Sequence, residues 1–107
     1  MTSLADIPYT IEWVEDEFGI DPNDDNVDVT VVFENGDRYV ATFFSLQNLA
    51  SLMEHYEETG ECAGGLYVWS TNMIVVSRLT RDNVRRAIAD LLENEEFASA
   101  FDGPVRA

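Results

Sequence analysis

The side chains able to do chemistry are few: one histidine, His55, one cysteine, Cys62, and a large surplus of carboxylates. A cysteine nucleophile works as its thiolate, which needs positive surroundings, a base in reach and a third group to hold that base. Cys62 lies instead in Thr59-Gly60-Glu61-Cys62-Ala63-Gly64-Gly65, with Glu57, Glu58 and Glu61 nearby, the wrong sign for that task. His55 sits beside Ser51 and Glu58 on a helical surface, about half a turn from the apolar stripe. The pair is a poor zinc site, because a closed tetrahedral centre takes four ligands, mostly Cys or His. Gly60, Gly64 and Gly65 lack the Gly-Lys-Ser/Thr ending of a phosphate loop and are better explained as turn formers. Asp21, Asn23 and Asp25 match the first three ligand positions of a calcium loop. The sixth position is Asn26 where Gly is needed, and the twelfth is Val32 where a bidentate Glu is needed, so a solvated Asx-rich turn is expected. The sequence therefore predicts no catalytic residue, no metal site and no cofactor.

The elements that would position these groups follow from periodicity. Tyr9 to Phe18, with Ile11, Trp13 and Val14 among acids, reads as a first strand. Asp21-Pro22-Asn23-Asp24-Asp25-Asn26 is turn chemistry. Val27, Val29, Val31 and Phe33 alternate along a second strand. Asn35-Gly36 then signals a two-residue hairpin, and Arg38 to Phe44 returns. Ser45 can cap a helix whose Leu49, Leu52, Met53 and Tyr56 form a stripe, with Gly60 ending it. Leu66 to Trp69 and Met73 to Leu79 read as two strands of a second hairpin around Ser70-Thr71-Asn72. Thr80 caps a helix with Val84, Ala87, Ile88, Leu91 and Leu92 on one face. A short helical turn from Glu95 to Phe101 follows, and the tail from Asp102 is expected to fray.

The order β-β-β-α-β-β-α, plus the short C-terminal helix, predicts an α+β domain over residues 1–107. Its sheet is mostly antiparallel, with about five strands and the helices on one face. A two-residue loop sets Phe33 opposite Arg38 and Val31 opposite Val40. Val27, Val29, Val31, Phe33, Val40 and Phe44 then face the core. Val32, Tyr39, Ala41 and Phe43 take the other side, joined by Tyr67 and Trp69. Such a face is too apolar to be left wet. Either the first strand, the terminal helix with Phe97 and Phe101 or a bent sheet closes over it, or Tyr39, Phe43, Tyr67 and Trp69 form a partner or dimer interface.

Charge bounds the function. The 107 residues hold 21 acids and 6 bases, a net charge of −15, and every base is Arg. Eleven acids and no base fall in residues 1–37. Nucleic acid and anionic membranes are repelled by such a chain, so direct binding to either is disfavoured. No apolar run is longer than the four residues of Met73 to Val76, too short to span a bilayer. With no basic and apolar leader and a single cysteine, the expected compartment is the cytoplasm. The acidity fits either simple solvation, as a high-salt host would favour, or a surface made for a basic partner, including one that itself binds nucleic acid. The candidate contacts on the second reading are Glu12, Glu15, Asp16, Glu17, Asp21, Asp24, Asp25 and Asp28, with Glu54, Glu57, Glu58 and Glu61.

One stretch is familiar as a pattern. Ala41-Thr42-Phe43-Phe44, Asn48-Leu49, Leu52-Met53, Tyr56, Thr59-Gly60-Glu61-Cys62, Gly65, Tyr67, Trp69 and Met73-Ile74-Val75-Val76 resemble a group of small bacterial proteins with no assigned activity. Those proteins carry Thr-Phe-Phe, Gly-Glu-Cys, Tyr-Phe-Trp and Asp-Met-Ile at the corresponding places. Asn72 here stands for the Asp and Val68 for the Phe. The resemblance covers about residues 41 to 79 with parts of the following helix, implies a compact bacterial domain and supplies no catalytic residue. By size and charge, the expected function is that of a non-catalytic inhibitor such as an immunity protein, an antitoxin or a nucleic-acid-mimicking anti-CRISPR protein. The alternative is a structural or regulatory homodimer whose acidity serves solubility.

Overall fold

A computed structural model describes residues 3–13 and 19–105. Five strands form one mostly antiparallel sheet, with helices, in an α+β arrangement. Strands β1 (Tyr9–Trp13), β2 (Asn26–Phe33) and β3 (Arg38–Ser45) form an antiparallel meander. Helix α1 (Leu46–Thr59) and a single turn, α2 (Glu61–Gly65), precede β4 (Met73–Val76). Helix α3 (Arg81–Glu93), the short α4 (Phe97–Ala100) and β5 (Asp102–Val105) complete the described residues. The expected first strand is described as far as Trp13, and its remaining residues, 14–18, lie outside those described.

The helix signals act locally and as expected. Ser45 Oγ accepts from the Asn48 N–H at 3.3 Å and Thr80 Oγ1 from that of Asn83 at 3.1 Å, each satisfying an orphan donor of a first helical turn. Gly60 stops α1 at φ 85°, and its N–H closes onto the Tyr56 carbonyl.

The hairpin register differs from the expected one by one residue. Phe33 N–H donates to Asp37 O and Gly36 N–H to Phe33 O, both at 2.9 Å. The loop is therefore Glu34-Asn35-Gly36, three residues long, with only Gly36 at positive φ (93°). A type I′ turn would need positive φ at both Asn35 and Gly36. Val31 consequently faces Tyr39, Val29 faces Ala41 and Val27 faces Phe43. Because strand side chains alternate with period two, the slip turns β3 over. Tyr39, Ala41 and Phe43 enter the core, whereas Val40 leaves it. Phe44 is buried but stands outside the main cluster.

The core lies between that sheet face and α3, through Val84, Ile88 and Leu92. Phe97 and Phe101 finish it. Phe97 stands edge-on to Phe33 at 5.6 Å and to Tyr39 at 5.1 Å, and stacks on Phe101 at 4.3 Å. Phe43 meets Phe101 at 6.1 Å. These aromatic pairs add to the burial of the rings themselves.

Three other expectations are corrected. Leu66 to Trp69 is not a strand, and no second hairpin forms. Instead β4 runs parallel to β3, Phe43 opposite Ile74, which requires a long crossover, here α1 and the segment after it. The tail does not fray at Asp102: β5 pairs antiparallel with the first half of β3, on the edge whose second half β4 occupies. Finally, α1 does not cover the sheet. Its only buried residue is Asn48, and none of its side chains belongs to the core cluster. The molecule measures 50 × 27 × 27 Å, and its radius of gyration of 15.1 Å exceeds the roughly 13 Å of a compact chain this long.

Candidate partner-binding surface

Helix α1 is held at its N-terminal end. Ser45, fully buried, accepts from the Asp25 N–H at 3.2 Å and donates to Asn23 O at 2.9 Å. Asn48 donates to Asp24 Oδ1 and accepts from Asn26 Nδ2, each at 2.9 Å, while Ser51 Oγ donates to Asp24 Oδ2 at 2.7 Å. These bonds hold the Asp24 carboxyl below the usual aspartate value, that from Asn48 contributing most and that from Ser51 next, against a smaller opposing effect of burial. The same loop reaches the start of α3: Arg78 Nε donates to Asn23 Oδ1 at 3.0 Å and Leu79 N–H to Pro22 O at 2.7 Å.

The rest of α1 leaves the body of the molecule. Its stripe is only half-buried at Leu49, Leu52 and Tyr56, while Met53 is exposed. Glu54, Glu57 and Glu58 are exposed on the helix and Glu61 just beyond it. The chain then turns back through a left-handed coil. Cys62, Ala63 and Gly64 take φ of 51°, 55° and 74°, and Leu66 N–H closes onto Cys62 O at 3.0 Å. For Cys62 and Ala63 that conformation costs on the order of 1–2 kcal/mol each. Gly65 follows at φ 87°, pressed against the helix, where a Cβ would overlap the Met53 carbonyl oxygen. Beyond it Leu66, Tyr67 and Trp69 are 77%, 46% and 69% exposed.

The structure sorts the candidate residues. Tyr39 and Phe43 are core residues and offer nothing to a partner, whereas Tyr67 and Trp69 are exposed on the segment returning from α1. Asp21 and Asp25 are occupied within their own loop, where Asp21 Oδ1 accepts from the Asn23 N–H at 2.9 Å and Asp25 Oδ2 from the Asp21 N–H at 3.1 Å, and Asp24 is occupied by Asn48 and Ser51 of α1. Glu12 pairs with Arg38 at 2.9 Å, and Asp28 accepts from Thr42 Oγ1 at 2.7 Å, on the sheet face away from the core. Glu15, Asp16 and Glu17 lie outside the described residues. Glu54, Glu57, Glu58 and Glu61 share one arm with the exposed apolar groups. Leu66 and Met53 belong to this surface and were missed as candidates, although Leu66-Tyr67-Val68-Trp69 lacks the polar alternation of a half-buried strand.

The bases largely engage the protein itself. Besides Arg38 and Arg78, Arg81 lies over the Trp13 ring at 4.9 Å and Arg86 approaches Asp82 at 3.9 Å. His55 is exposed on α1 beside Tyr56, their rings 6.0 Å apart, and Cys62 is half-exposed in the left-handed turn. Among the described residues no three His, Cys, Asp or Glu side chains gather as a metal site would require, and no helix is long and apolar enough to cross a membrane. Comparison with protein-family models, curated proteins and solved structures finds no match to this chain.

Proposed function

We propose that this protein is a non-catalytic acidic binding protein that neutralises a basic macromolecule, in the manner of an immunity protein, an antitoxin or a nucleic-acid-mimicking inhibitor. The observation that carries the reading is the coincidence, on one arm, of exposed carboxylates at Glu54, Glu57, Glu58 and Glu61 with exposed apolar residues at Leu66, Tyr67 and Trp69. Electrostatic attraction would steer a positive surface toward the arm, and burial of the aromatic groups would then hold it. The net charge of −15 supports a partner of opposite sign and weighs against self-association at low ionic strength. The test is affinity capture from native-host extract, washed at low and then high salt. A positively charged protein released by salt supports the reading; capture indifferent to salt counts against it. A homodimer whose acidity serves only solubility is the competing arrangement, and light scattering at micromolar concentration separates the two.

A further inference from the structure

We infer that the docking site is the arm itself, and that its occupant is a basic protein segment that also carries an apolar anchor. This rests on the proposed binding function and narrows it to one surface and one partner chemistry. Gly65 is where the returning chain crosses α1. Its backbone lies against the Met53 carbonyl, and a Cβ there would come 3.2 Å from Glu57 Cγ. Met53 and Glu57 are four residues apart and so share a helix face. Leu66 therefore leaves the crossing point beside an exposed methionine and a glutamate, and Tyr67 and Trp69 extend the apolar surface along the returning chain. Residues 39–77 include Glu54, Glu57, Glu58 and Glu61 but neither Arg nor Lys. Arginine or lysine on the occupant would meet no like charge along the arm, while its apolar side chain would settle against Trp69 and Leu66. A second copy of this chain would bring carboxylate against carboxylate.

The probe is a phage-displayed library of random 16-residue peptides, selected on the full chain at low salt. The expected peptides combine Arg or Lys with an aromatic or large aliphatic residue. Trp69→Ser with Leu66→Ser lowers their affinity at least tenfold while the melting temperature is unchanged. Glu57→Gln with Glu61→Gln weakens binding severalfold and flattens its salt dependence, whereas Glu93→Gln with Glu96→Gln, away from the arm, leaves it unaltered. Basic peptides that bind equally well to the arm variants would overturn the arm as the site while sparing the basic-partner reading. A selection yielding no basic peptides would sink that reading as well. Unfolding of the Trp69→Ser, Leu66→Ser variant would make those residues structural and end the proposal. So would a native dimer that these two substitutions dissociate.

Discussion

The side-chain amide of Asn48 donates to Asp24 Oδ1 at 2.9 Å, joining the first turn of α1 to the loop that leads into β2. Asn48 also accepts from Asn26, so a single buried side chain spans helix, loop and strand. Replacing Asn48 by Ala removes both bonds and leaves the partner groups to find water. The expected loss is about 1–3 kcal/mol, read as a lower denaturant midpoint.

Acid should loosen the same junction. The Asp24 carboxyl titrates below its usual value because Asn48 and then Ser51 donate to its charged form. A folded-state pKa below the unfolded one contributes stability that is complete above the unfolded value, about 3.9, and is lost as pH falls through the folded one. Asp24 therefore contributes a constant amount from pH 7 to about 5 and progressively less below about 4. Melting curves of wild type and Asp24→Asn from pH 3 to 7 should converge at the acid end.

Core and arm aromatics should differ in the cost of truncation. Phe43→Ala opens a cavity beneath Phe101 and is expected to cost about 3–5 kcal/mol. Trp69→Ser, on a side chain 69% exposed, should change stability by no more than about 0.5 kcal/mol. Chemical denaturation of the two variants measures the contrast.

Gly65→Ala should release the arm without unfolding the body. The new Cβ meets the Met53 carbonyl, and φ of 87° strains any L side chain. Since α1 contributes nothing to the core cluster, global stability should fall little. The expected signature is faster hydrogen exchange at Glu54–Thr59, with the amides of β2 and α3 still protected.

Calcium should find no site in the Asp21–Asn26 loop. Asp21 and Asp25 already accept backbone N–H groups, and Asn23 Oδ1 accepts from Arg78. Millimolar calcium is expected to shift the melting temperature no more than magnesium at the same concentration. A calcium-specific rise would reopen the site.

Much of this protein can be read locally. Ser45 and Thr80 begin helices, Gly60 ends one, and Val27 to Phe33 alternates as a strand, because each feature depends on neighbours a few residues away. The acidity and the scarcity of reactive groups are matters of composition. The candidate surface was half-legible: Glu54, Glu57, Glu58 and Glu61 belong to an evident amphipathic helix, and Tyr67 and Trp69 stand out by type. Nothing nearby in sequence says that α1 stays clear of the core.

The tertiary structure alone decided the rest, since strand pairing is settled by distant partners. Asn35-Gly36 suits a two-residue turn and a three-residue turn almost equally, and β3 carries apolar residues on both of its faces. The choice between registers turns on burying Tyr39 and Phe43 where Phe97 and Phe101 arrive, worth about 1.5–3 kcal/mol per large side chain. The same long-range packing seats β4 parallel to β3 and brings β5 onto the edge beside it. Sequence determined which residues are aromatic and which are charged. Only the folded chain could decide that Tyr39 and Phe43 lie in its interior while Tyr67 and Trp69 face outward, because burial depends on what the rest of the molecule places opposite each ring.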